Sequence, residues 1–411
     1  MIYIVGTSIA FFLSILLLSK QRKTPADKIL TCWLLVIAVH LLFYYLFFSG
    51  LSYRHPFLLG LDLPLPLVHG PMLYLYTASL TNQLPVGKKL LFLHFIPAVA
   101  SWIYLVNFFI LPGSQKVFVF QNKGLGFESF MWINLVAILI SGIAYIITCL
   151  ILLKRHRRAI LDQFSYTEKI NLKWLQFLIY GIGFIWLLVF TPDEVLFTGV
   201  VLFVVIMGYF GIKQPGIFTT HPANAPQINS PVKPALIDPG TTLNTNLVAP
   251  DPSMPATELI SPDAISAEQT AMVVIPDDKA EKKKYSKSGL TAAMAQDLHD
   301  RLGKLMKTEK VYTESELSLA ELANRLDTLP NYLSQVINEK EGKTFYDYIN
   351  ALRIEEFKRM ISLPENKRYT LLSLSYDCGF NSKSSFNKNF KKVTGQSPSE
   401  YLNNLQMEKA A

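Results

Sequence analysis

CGFNSKSSFNKNFKKVTGQSPSEY, residues 378–401, decides how the C-terminal part of this 411-residue chain is read. Cys378-Gly379-Phe380 ends a helix, with Gly supplying the backbone freedom of a C-cap. Asn381 and Ser382 are cap residues for the next helix, expected over 383–393. On it, Phe386, Phe390 and Val393 are expected to face inward, while Lys383, Ser384, Asn387, Lys388 and Lys391 project outward. No acidic residue occurs from Cys378 through Ser399, against four lysines, Lys383, Lys388, Lys391 and Lys392. A local charge of +4 on a helix that follows a Gly turn is the electrostatic footprint of a DNA-binding helix.

Upstream, Leu371, Leu372, Leu374 and Tyr376 start the short helix that Gly379 stops. A second copy of this pattern precedes it. Ser318 and Glu321 form a capping-box start to a helix ending near Leu326. Asp327-Thr328-Leu329-Pro330 then turns the chain into another helix, with Pro in its first turn. Leu333, Val336 and Ile337 form the buried side of that helix, and Asn331, Ser334, Gln335 and Asn338 the opposite side. Amide side chains on such a face can pair with adenine; a solvated face is the equal alternative on this element alone. A long amphipathic helix, about 344–361, separates the two units. Ahead of both, Leu290, Met294, Leu298, Leu302, Leu305 and Met306 repeat at three and four, which predicts one buried face.

This arrangement resembles the C-terminal DNA-binding domain of the AraC family of bacterial transcription regulators, over about 289–405. The resemblance is carried by Leu319-Ala320-Glu321-Leu322-Ala323, Tyr332-Leu333-Ser334-Gln335, Glu341-Gly342-Lys343-Thr344-Phe345, Leu352-Arg353-Ile354, 378–386, Phe390-Lys391-Lys392, Thr394-Gly395 and Pro398-Ser399-Glu400-Tyr401. It implies base contacts from Asn331, Ser334 and Gln335 in the first recognition helix and from Lys383, Ser384, Asn387 and Lys388 in the second. Lys391 and Lys392 are assigned to phosphates, where Lys positions a protein without specifying sequence. Arg353 is expected in a salt bridge that orients the central helix. Asp327 stands where the first turn commonly has Gly, and Ser375 where the second unit commonly has Ala; Asp327 is expected to need a different turn backbone.

The rest of the chain has another composition. Residues 1–213 hold 16 Lys and Arg against 7 Asp and Glu, whereas 281–411 hold 21 against 17. Half the residues overall are hydrophobic, which excludes a disordered or collagen-like protein. Apolar runs near 2–19, 29–50, 63–80, 90–111, 129–153, 174–192 and 194–212 predict seven membrane spans. Pro64, Pro66 and Pro71 make the third the weakest. Alternate loops hold twelve Lys and Arg against three in the others, which places the N-terminus outside and the C-terminus in the cytoplasm. The stretch 69–76, His-Gly-Pro-Met-Leu-Tyr-Leu-Tyr, resembles membrane-embedded members of the same family.

No Asp or Glu falls in the centre of any predicted span, which leaves a carboxylate proton relay without residues. His40, His69 and His94 are the possible sensor residues; as their spacing follows no metal motif, interhelical hydrogen bonding is the preferred role. Cys32, Cys149 and Cys378 form no CxxC pair, which argues against a zinc ribbon or a disulfide framework. Residues 214–280 contain 11 of the 23 prolines and read as a disordered tether with a reach of roughly 40–50 Å.

The expectation is an all-α protein: a seven-transmembrane-helix bundle (1–213), a Pro-rich cytoplasmic linker (214–288) and an AraC-type domain with two helix-turn-helix units (289–411). It reads as a regulator in the inner membrane that couples a membrane or periplasmic signal to promoter DNA. GxxxxGK, HExxH and GxSxG are absent, so no enzyme is expected, and no cofactor or metal. Expected partners are double-stranded promoter DNA, the lipid bilayer, a sensor ligand of unknown nature and, by resemblance, RNA polymerase. The alternatives are a transporter-like bundle with a regulatory tail, or a precursor that releases its DNA-binding part by proteolysis.

Overall fold

A computed structural model describes residues 2–85, 87–168, 170, 172–213 and 289–410. The tether reading for 214–288 lies outside these residues. Among them the chain is helical, with no β-strand and one isolated antiparallel bridge, Phe164 to Ser318.

The N-terminal half comprises α1 (Ile2–Ser19), α2 (Pro25–Phe48), α3 (Leu51–Arg54), α4 (Pro66–Leu80), α5 (Lys88–Leu93), α6 (Ile96–Tyr104), α7 (Val106–Ile110), α8 (Gly113–Gln121), α9 (Glu128–Gln163), α10 (Lys173–Leu187) and α11 (Asp193–Lys213). Helix α1 turns into α2 through Thr24, whose hydroxyl accepts from the Asp27 N–H while the Asp27 carboxylate accepts from the Thr24 N–H. Lys20 closes the same turn on Asp27 at 3.0 Å. Helix α1 packs on α2 and α11, and α4 packs between α2 and α9. Gly142 leaves space in α9 for the Trp186 indole of α10, which donates to the Ile138 carbonyl at 3.1 Å.

Four of the described helical runs are long and apolar enough to cross a membrane by length and composition: α1, α2, α9 and Lys173–Phe190. This corrects the expected seven. Helix α4 has 15 residues, about 22 Å at 1.5 Å per residue, short of a hydrocarbon core of about 30 Å. Pro66 in its first turn has no N–H with which to extend it backward. The expected fourth span breaks into α5, α6 and α7, and Pro97 sits in the first turn of α6, where the helix restarts. Four of the five remaining expected spans coincide with these runs, and the seventh falls on α11, of 21 residues, which is not one of the four. On α9 the apolar residues Ile133, Val136, Ile140, Ile143, Ile147 and Ile151 recur at three and four on an exposed face.

The C-terminal region comprises α12 (Ala292–Thr308), α13 (Leu319–Arg325), α14 (Pro330–Glu341), α15 (Phe345–Ile361), α16 (Leu371–Asp377), α17 (Lys383–Thr394) and α18 (Pro398–Ala410). It has two hydrophobic cores, one for each helix pair. Leu302, Leu322, Leu333, Val336 and Ile337 fill the first, and Phe357, Leu374, Phe380, Phe386 and Phe390 the second. Helix α15 serves both, giving Phe345 and Ile349 to one and Ile354 and Phe357 to the other. On α12 the buried residues are Ala295, Leu298, Leu302 and Met306, while Met294 is half exposed, so the buried stripe lies one residue off the expected start. Glu356 of α15 ties in the segment between α12 and α13: Arg359 and Lys310 hydrogen-bond its carboxylate and hold its pKa down at about 2.

Candidate nucleic-acid interface

Helices α13 and α16 end in the same backbone motif. After α13, the Thr328 N–H donates to the Ala323 carbonyl, with Asp327 left-handed at φ +48°. After α16, the Phe380 N–H donates to the Ser375 carbonyl, with Gly379 at φ +93°. Both are Schellman closures. Asp327 therefore adopts a left-handed turn of its own, not the different backbone that its side chain led us to expect. Left-handed backbone costs an L-residue roughly 1–2 kcal/mol, less for Asp, and Gly gives back part of the gain through unfolded-state entropy. Asp327→Gly is expected to stabilise the first unit by about 0.5 kcal/mol in urea unfolding; a loss would show that the carboxylate makes a favourable contact in the turn.

Ser318 and Glu321 form the expected capping box. Thr344, Thr370 and Ser382 cap α15, α16 and α17 in turn, each hydroxyl accepting from the N–H three residues on. Ser375 is fully buried and its hydroxyl donates to the Leu372 carbonyl at 2.7 Å, so it packs where Ala was the expected type.

On α14, Leu333, Val336 and Ile337 are fully buried and Asn331 is exposed. Ser334 is half-buried and accepts weakly from Asn338. Gln335 departs from the exposed-face reading: it is 7% exposed, its Nε2 donates to Glu339 at 3.0 Å, and its Oε1 has no partner among the described residues. On α17, Lys383, Ser384, Asn387, Lys388 and Lys391 are all exposed. Lys392 is also exposed but is paired with Asp347 of α15 at 2.7 Å. Val393 faces out, and the inward position next to Phe390 belongs to Asn389, whose Nδ2 donates to the Tyr346 hydroxyl at 2.7 Å. Burial pushes the Cys378 thiol up to about 12, assisted by Glu356 and Asp377, so it stays protonated at neutral pH.

Among the described residues Arg353 forms no salt bridge. It is 1% exposed, and its guanidinium donates to the carbonyls of Tyr312 and Glu314, each at 2.6 Å, and to Ser165 and Asn350. Burial lowers its pKa to about 10, which leaves it charged at neutral pH.

The three histidines do not converge. His40 and His69 stack across α2 and α4 and share a hydrogen bond of 3.0 Å, with Trp33 donating to the other His69 nitrogen at 3.2 Å. His94 bonds instead to the Tyr145 hydroxyl at 2.8 Å. Among the described residues no cluster of three or more metal-ligating side chains occurs.

A family model described as a helix-turn-helix domain matches residues 322–404. The chain is 37% identical over 93 residues to an uncharacterized HTH-type transcriptional regulator of Bacillus subtilis (strain 168), YobQ, a stretch that is 23% of this chain and 37% of that protein. It is 30% identical over 88 residues to YtdP of the same strain, described in the same words, covering 21% of this chain and 11% of YtdP. A Staphylococcus aureus (strain COL) protein, again an uncharacterized HTH-type transcriptional regulator, is 28% identical over 102 residues, 25% of this chain and 13% of that one. The chain thus spans little more than a third of the length of YobQ and far less of the other two. No solved structure matches it. The C-terminal region is a helix-turn-helix domain.

Proposed function

We propose that the protein is a membrane-anchored, sequence-specific DNA-binding transcription regulator of the AraC type, with its helix-turn-helix domain in the cytoplasm. The observation that carries this reading is the outward face of α17, where Lys383, Ser384, Asn387, Lys388 and Lys391 stand exposed on a helix seated by Phe386 and Phe390. Asn331 and Ser334 of α14 supply the corresponding face of the first unit, with Gln335 joining if its side chain turns outward on binding. Lys391 is the exposed phosphate candidate; Lys392 would first have to leave Asp347.

Anchoring is supported by the four membrane-length helices and by the exposed isoleucine face of α9. The basic C-terminal part of α9, with Lys154, Arg155, Arg157 and Arg158, supports a cytoplasmic side for the attached domain. Transcription regulation is supported by the relatives described as HTH-type transcriptional regulators, and RNA polymerase as partner follows the AraC resemblance alone.

Two measurements test the reading. Membranes washed with alkaline carbonate should retain the protein, and its recovery in the wash would end the anchoring claim. Genome-wide mapping of bound DNA should yield a shared motif, and uniform occupancy would end the claim of specific readout. Within that motif, Lys388→Ala is expected to cost about 1–3 kcal/mol of binding and to relax preference at one position. An equal loss on all duplexes would reassign Lys388 to phosphate.

A further inference from the structure

The connection between α9 and α10 is a loop, yet three consecutive residues in it, Phe164, Ser165 and Tyr166, are buried. Loops normally run over a surface with their backbone groups in water. Here the helix-turn-helix domain supplies the partners. The Ser165 N–H donates to the Leu317 carbonyl at 3.1 Å, and the Ser165 hydroxyl donates to the same carbonyl at 2.7 Å. The Ser165 carbonyl accepts from Asn350 Nδ2 at 3.0 Å and from Arg353 Nη1 at 3.2 Å, while its hydroxyl accepts from Arg353 Nη2 at 3.1 Å. Every polar group of Ser165 is thus bonded to the other half of the chain, and Phe164 bridges to Ser318 at the start of α13.

The docking point lies where the two helix-turn-helix units meet. Arg353 reaches from α15 to Tyr312 and Glu314 of the first unit and lies 5.8 Å from the Phe380 ring of the second. Asn381, just before α17, donates to the Ser315 carbonyl at 2.9 Å. Three residues beyond Ser165, the Glu168 carboxylate accepts weakly from the Ser382 hydroxyl at 3.4 Å. Ser382 is the N-cap of α17, the second recognition helix.

We propose that the segment Phe164–Glu168 is a docking strand that holds the helix-turn-helix domain off DNA, with Glu168 occupying the place where a DNA phosphate reaches the N-terminus of α17. The inference rests on the DNA-binding reading above. Helix N-termini and their capping hydroxyls are sites for phosphate oxygens. A carboxylate and a phosphate cannot share one such position without strong like-charge repulsion, so the docked and DNA-bound states compete. Because strand and domain belong to one chain, the contact benefits from an effective concentration of roughly millimolar order, and a small interface suffices. The strand continues directly from α9, which makes the end of that helix the element through which a change in the bundle would reach the domain.

The test uses the full chain in lipid nanodiscs and a random-sequence duplex of roughly 40 base pairs, long enough for two half-sites one helical turn apart. Glu168→Gln should tighten binding by roughly three- to tenfold over the wild type, the size of a one-charge effect at a helix end. Ser165→Pro, which removes the N–H bonded to Leu317, should tighten it at least as much. In the wild type, added duplex should raise hydrogen exchange at the Ser165 and Tyr166 amides. Wild-type binding matched by both variants, or protection at 165 and 166 that persists on DNA, overturns the docking proposal and leaves the DNA-binding reading standing. If wild type and both variants all fail to bind the duplex, the DNA-binding reading falls, and the proposal with it.

Discussion

Arg353→Ala should cost the helix-turn-helix domain about 3–5 kcal/mol, from buried acceptors left unsatisfied at about 1–3 kcal/mol each together with the cavity left behind. The guanidinium is among the largest fully buried side chains in the protein. Its acceptors are the carbonyls of Tyr312, Glu314 and Ser165, the Asn350 amide oxygen and the Ser165 hydroxyl. Truncation leaves the Tyr312 and Glu314 carbonyls without these donors and opens a cavity at the junction of the two units, and both effects destabilise. Arg353→Lys keeps the charge but not the planar fork, so most of the loss should remain. Urea unfolding of the full chain, followed by hydrogen exchange of α15 amides, measures it. A loss below about 1 kcal/mol would show that solvent or another donor replaces the guanidinium.

Gly379→Ala is the second large effect. At φ +93° an added Cβ would lie 2.6 Å from the Thr313 carbonyl oxygen, 2.8 Å from its carbon and 2.9 Å from the Tyr312 oxygen. All three are backbone atoms, so no flexible side chain can move aside. The left-handed conformation alone costs roughly 1–2 kcal/mol, and the clash requires the second unit to shift away from 312–315. The expected total is about 3 kcal/mol or more, with loss of DNA binding as the two recognition helices lose their relative placement. Gly395→Ala is the internal control. It has φ +77° but nothing within 4 Å of an added Cβ, so only the conformational cost should appear, about 1 kcal/mol. Equal losses at both sites would show that the 312–315 segment yields freely.

The helix pairs were legible because their signals are local. Caps at Ser318 and Ser382, Pro330 in a first turn and the Gly379 stop act within a few residues of where they are written. The inward face of α14 followed from its period. The errors arose where neighbours in space decide the outcome. Val393 lies outside its expected inward place and Asn389 is buried instead, because the Tyr346 hydroxyl offers the Asn389 amide a partner. Gln335 is buried although its position on α14 gave no sign of it. The apolar run at 90–111 carries enough hydrophobicity for a span, yet Pro97 restarts the helix within it.

The amino-acid order by itself determined that this is a helical protein in two unlike parts, one apolar and one built of paired short helices, the last pair ending in a lysine-rich helix. Composition, period and capping are properties of neighbours in sequence, and they need no fold to be read. Only the tertiary structure decided what Arg353 does, since its acceptors are the carbonyl and hydroxyl of Ser165, 188 positions away, the Asn350 amide oxygen and the main-chain carbonyls of Tyr312 and Glu314. The same holds for Glu168, which reaches Ser382 across 214 positions. Contacts between residues so far apart leave no spacing in the sequence, and the link between the two halves of this protein is made of such contacts.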